Sequence, residues 1–151
     1  PDSIEPTEAF EATAHQAGIE RTENVLGWST DLESPAHVRK GDVGREIATL
    51  IHEDLHRVTH PISRAELSST ESRQNLYEGI TELYTQRATE SLHGQGLGEC
   101  YEDNMRHATA LEQMVGDVEL RRYYFEHELP ETIGRAIERI ERVQRNERPK
   151  K

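Results

Sequence analysis

Val43, Ile47, Leu50, Ile51, Leu55 and Val58 recur three or four residues apart, while Thr49, His52, Glu53, His56 and His60 take polar positions between them. At 3.6 residues per turn the two sets fall on separate faces of one helix, predicted over 42–60 with Asp42 as its N-cap. The apolar face suits a core and the polar face a cleft. Leu76, Ile80, Leu83 and Ala88 mark a second helix over 70–92, with Ser68-Ser69-Thr70 offering N-caps. A helix over 6–17, stopped by Gly18, precedes both. After them come a loop at 93–98 that holds three glycines, then a helix over 101–115 that turns Met105, Ala108, Leu111 and Val115 inward. Gly116-Asp117 restarts the chain as a helix over 118–127, and Pro130 opens the last helix at its favoured first position.

Two short runs, 24–29 and 36–39, read as strands around the turn-rich 30–35, a small hairpin leading into the helix over 42–60. The fold class that follows is α+β and mostly helical, with a small edge hairpin or sheet ahead of five or six helices. The expectation is a single domain over 1–151 with a frayed, basic tail at 146–151.

The chemistry concentrates in His52-Glu53-Asp54-Leu55-His56, an H-E-x-x-H motif on the polar face of the first long helix. Residues four apart on a helix sit one above the other, so both imidazoles can address one ion while Glu53 stands ready to take a proton from water. A surface helix with two solvated histidines is the plain alternative. A third ligand has two candidate sources. His60 continues the ladder, but eight residues along a straight helix is about 12 Å, and Pro61 suggests that the helix closes near His60. It reads better as a C-terminal helix residue or an outer-cleft group. On the second helix Glu78 and Glu82, four apart, can both face a cleft, although paired glutamates are commonly a solvated face. Gly79 costs about 1 kcal/mol there relative to Ala, which makes sense where another helix or a ligand approaches closely.

His52-Glu53-x-x-His56 followed by Tyr77-Glu78-Gly79-Ile80-Thr81-Glu82 resembles the gluzincin metallopeptidases, the thermolysin-like and aminopeptidase-like zincins, over about residues 45–90. Compact minigluzincins offer the nearest architectural comparison. The resemblance implies Zn2+ held by His52, His56 and Glu78, Glu53 as general base and proton shuttle, and Glu82 as a carboxylate that orients a ligand histidine. It implies hydrolysis of a peptide or protein substrate, with one hairpin strand as the edge against which the substrate lies; a hairpin that only covers the core is the alternative. The interval between His56 and Glu78 is slightly longer than in many gluzincins. The oxyanion-stabilising Tyr or His of the larger enzymes has no clear counterpart. Tyr101 and His107 are candidates because they follow the glutamate helix, and Tyr84 is another; each also reads as a structural residue.

Composition narrows the partners. A net charge of −11 argues against a general nucleic-acid binder, and no apolar run approaches the length of a membrane span. Only 33% of residues are hydrophobic and 31% are charged, as amphipathic helices with a modest core would require. No signal-peptide pattern opens the chain, and its start at Pro1 suggests a piece of something longer. Cys100 is the only cysteine, so no intrachain disulfide forms, and its spacing to His107 does not make a dyad. Two further readings stay open: a catalytically silent, metal-stabilised interaction domain, and the protease effector or toxin domain of a larger protein.

Overall fold

The computed structural model describes residues 3–19, 27–28, 36–39, 43–90 and 98–147, the side chains of 43–45 and 98–102 excepted. They fall into two compact units, one formed by Pro1–Val58 with Tyr84–Cys100 and the other by Thr59–Leu83 with Tyr101–Lys151.

The first unit carries β1 (Ser3–Glu5), α1 (Thr7–Gln16), β2 (Gly27–Trp28), β3 (His37–Arg39) and α2 (Val43–Val58). β3 is the middle strand. It runs antiparallel to β2, pairing Val38 with Gly27 and His37 with Trp28, which is the expected hairpin contact. Residues 24–26 and 29–35 of that hairpin, and the proposed cap Asp42, lie outside the described residues. On its other side β3 pairs in parallel with β1, from Ser3↔His37 to Glu5↔Arg39. Strand β1 was not anticipated, because three residues are too few to display an alternation. Helix α1 packs on β1 and β3, and α2 on β2 and β3, around the fully buried Phe10, Ala14, Val38 and Ala48. The Trp28 ring stacks on His37 at 4.0 Å, and His37 Nδ1 lies 2.9 Å from Glu5 Oε1, so one ring ties all three strands together.

The second unit holds α3 (Pro61–Leu67), the first part of α4 (Glu71–Glu90), and α5 (Gly98–Val115), α6 (Asp117–Glu126) and α7 (Pro130–Glu147). Helix α3, absent from the sequence-based expectation, brings the described helices to seven where five or six were expected. Pro61 has the fixed φ that starts a helix, and His60 is its N-cap: His60 Nδ1 accepts from the Ile62 N–H at 3.2 Å. His60 therefore opens the next helix instead of closing α2. Thr70, from the predicted cluster, caps α4 by accepting from Arg73 N–H at 3.1 Å. Gly116, at φ 94°, separates α5 from α6 in a conformation that a side chain strongly disfavours. Helix α7 stays helical through Glu147, beyond the expected start of a frayed tail; 148–151 lie outside the described residues.

The core of this unit is built from Leu76, Ile80, Leu111, Leu120, Ile133 and Ile137, all essentially inaccessible. At Gly79 the helices α4 and α5 meet backbone to backbone. A Cβ there would lie 2.1 Å from the Asn104 carbonyl oxygen, so the glycine exists for a helix approach. No described helix is long and apolar enough to cross a membrane.

Candidate metal centre

Helix α2 buries its polar motif. His52, Glu53 and His56 are 1%, 7% and 6% exposed, which overturns the alternative of solvated surface histidines. Their spacing brings His52 Nε2 and His56 Nε2 to 3.2 Å with the rings edge to face. Two ring nitrogens at that distance can make a hydrogen bond when one carries the proton and the other accepts it. The same placement lets both rings address one cation. An ion held at about 2.0–2.1 Å by two tetrahedrally disposed nitrogens would place them about 3.3 Å apart, close to what is observed.

Strand β2 meets this face of α2 at Gly27. A Cβ at Gly27 would sit 2.6 Å from Thr49 Cγ2 and 3.0 Å from Glu53 Cγ, so β2 runs directly over the side chains of Thr49 and Glu53. Only a residue without a side chain allows that approach. Among the described strands β2 is an edge, with β3 on one side only.

On α4, Glu78 is half-buried and its Oε1 accepts from Gln74 Nε2 at 3.2 Å. Glu82, one turn further, is completely buried. The residues around Glu78 are held by buried hydroxyls. Tyr77 OH donates to Thr59 Oγ1 at 2.9 Å, and Thr81 Oγ1 donates to the Tyr77 carbonyl at 2.9 Å. Thr81 has thereby used its one proton, so the 2.7 Å contact with Tyr124 must be a bond donated by the Tyr124 phenol. Burial pushes that phenol far above its ordinary pKa, and the neighbouring Tyr77 and Glu78 push in the same direction. Tyr124 is thus a neutral, permanent donor.

One ligand atom from each of His52, His56 and Glu78 lies within 4.8 Å of the other two, and no other such group of His, Cys, Asp and Glu occurs among the described residues. Two imidazole nitrogens and a carboxylate form a donor set that could hold a metal ion.

The remaining candidates are placed as follows. Tyr101 lies on α5 with its side chain outside the described residues, as does that of Cys100. His107, also on α5, is buried in the second unit. Its Nε2 is 2.8 Å from Glu147 Oε2, and Gln144 Nε2 lies 3.5 Å from its Nδ1. Arg106 grips the same carboxylate with both terminal nitrogens at 3.2 Å. The hydrogen bond from His107, followed by those from Arg106, holds the Glu147 carboxyl below its usual range. Tyr84 is buried on α4. Three contributors escaped sequence reasoning. Gln74 carried the one available signal, its i,i+4 relation to Glu78. Gly27 and Tyr124 act across tertiary contacts, which no local pattern announces. Comparison with known proteins gave no match to a family model, to a curated protein or to a solved structure.

Proposed function

We propose that this protein is a zinc-dependent peptidase of the gluzincin kind. The observation that carries the reading is the convergence of His52, His56 and Glu78 beside the buried Glu53. These three side chains would hold the ion, and Glu82 would orient a ligand imidazole. Zinc supplies Lewis acidity at such a centre, bringing the pKa of a bound water to near 7 and drawing charge from a carbonyl oxygen.

The protein's own groups do the rest. Glu53 accepts a proton at its carboxylate as the water oxygen bonds to the scissile carbonyl carbon. It then delivers that proton to the amine nitrogen as the C–N bond breaks, so the water is consumed and both products leave neutralised by one shuttle. Strand β2 has the backbone to take an extended peptide along its outer side, with Gly27 bringing that strand against Glu53. Tyr101 and His107 stay as candidates for assisting the oxyanion.

Glu53→Gln is the direct test. It keeps size and hydrogen-bonding capacity but removes the base. Hydrolysis of a fluorogenic peptide library should fall by at least 100-fold, with bound zinc unchanged. Partner binding by both forms with turnover by neither would favour the interaction-domain reading.

A further inference from the structure

We propose that Gln74 is a positioning residue for the metal centre, fixing the Glu78 carboxylate in the orientation that completes the ligand set. The inference rests on the metal reading above and assigns a function to a residue outside the motif.

Glu78 reaches from α4 on three rotatable bonds, so its carboxylate is the loosest ligand of the three; the two histidines are both nearly inaccessible. The backbone beneath it has no such freedom. Upstream, Thr70 caps α4, the Gln74 N–H bonds to the Thr70 carbonyl at 2.9 Å, and Arg73 Nε bonds Glu141 Oε1 on α7 at 2.8 Å. Downstream, Gly79 rests on the α5 backbone at Asn104. The side chain turns on bonds of its own.

Gln74 sets it. Its amide lies four residues earlier on the same face, and Nε2 meets Glu78 Oε1 at 3.2 Å. A carboxylate only accepts, so the amide must present nitrogen and not oxygen, which fixes the otherwise ambiguous orientation of Gln74. A bond to Oε1 restricts the rotation of the carboxylate and so the directions its two oxygens can take. Groups that hold a ligand in place commonly contribute 10–100-fold to metal affinity.

The test is zinc affinity, measured on the whole chain by competition with a chromophoric chelator. Gln74→Met keeps length and helix propensity but has no donor; Gln74→Lys restores a donor at similar reach. Gln74→Met should bind zinc about tenfold more weakly, and Gln74→Lys should recover most of that loss. The melting temperature of the metal-free protein should be the same in all three. With Co2+ in place of zinc, the visible absorption of Gln74→Met should differ from wild type, a change that a purely structural role would not produce. Wild-type zinc binding with equal affinity in Gln74→Met overturns this inference and leaves the metal reading standing. No zinc binding by wild type overturns both.

Discussion

His52 Nε2 and His56 Nε2 face each other at 3.2 Å across one turn of α2, inside the protein. On the proposed reading, nitrogens so placed would receive a cation with little rearrangement. Metal that binds only the folded chain stabilises it by about 2.7 kcal/mol at a hundredfold excess over Kd. Zinc should therefore raise the melting temperature of the wild-type protein by several degrees. In His52→Ala or His56→Ala it should not, and an equal rise in either would remove these histidines from the site.

Gly79 against Asn104 gives a prediction with an unusual sign. In an exposed helix Gly→Ala stabilises by about 1 kcal/mol. At position 79 the new methyl would meet a backbone oxygen at 2.1 Å, and backbone yields less readily than a side chain. Gly79→Ala should lose about 2–4 kcal/mol in urea unfolding, within the range of overpacked cores and above. A variant as stable as wild type would show that α4 and α5 do not meet there.

Gly27 separates structure from chemistry. Its missing side chain admits β2 to Thr49 and Glu53. Gly27→Ala should displace Glu53 and depress peptide turnover at least tenfold, a loss of about 1.4 kcal/mol in transition-state stabilisation, while zinc content stays at the wild-type level. Unchanged turnover would mean that Glu53 is not held by that strand.

Tyr124 and Thr81 form a bond with no access to water. Removing the phenol in Tyr124→Phe strips Thr81 Oγ1 of its donor, at a cost of about 1–2 kcal/mol. Chemical denaturation would measure it, and a neutral result would mean that the Thr81 hydroxyl is satisfied by Tyr77 alone.

Acid should weaken the second unit through Glu66. Burial alone would raise its carboxyl, but hydrogen bonds from Tyr123 and His127, aided by the charges of His127 and Arg73, outweigh that and hold it below the ordinary value. A carboxyl depressed in the folded state takes its proton at lower pH than the unfolded chain does. Its stabilisation is complete above the unfolded value of about 4.3 and fades as pH drops through the folded one. Glu66→Gln should lower the melting temperature at pH 7, and the gap from wild type should close below about pH 4. A constant gap would exclude Glu66 as the titrating group.

Much of the architecture can be read from one dimension because it is amphipathic helix. The boundaries of α1, α2, α4, α6 and α7 follow from apolar spacing, glycine stops and Pro130. The trio His52, His56 and Glu78 was equally legible, since two fall on one turn and the third stands on the next long helix. What escaped was short or tertiary. Strand β1 and helix α3 are too brief for a period, and the His60 cap reverses its apparent place at the end of α2. The burial of His52 and His56 could not be read either, because polar residues on a helix face imply solvent until another element covers them.

The central claim is a three-ligand zinc centre, and elemental analysis of purified protein beside its Glu78→Ala variant addresses it most directly. One zinc per wild-type chain, lost or greatly weakened in Glu78→Ala, is the predicted result. Absence of metal from both after incubation with zinc, or retention of a full equivalent by the variant, would contradict it.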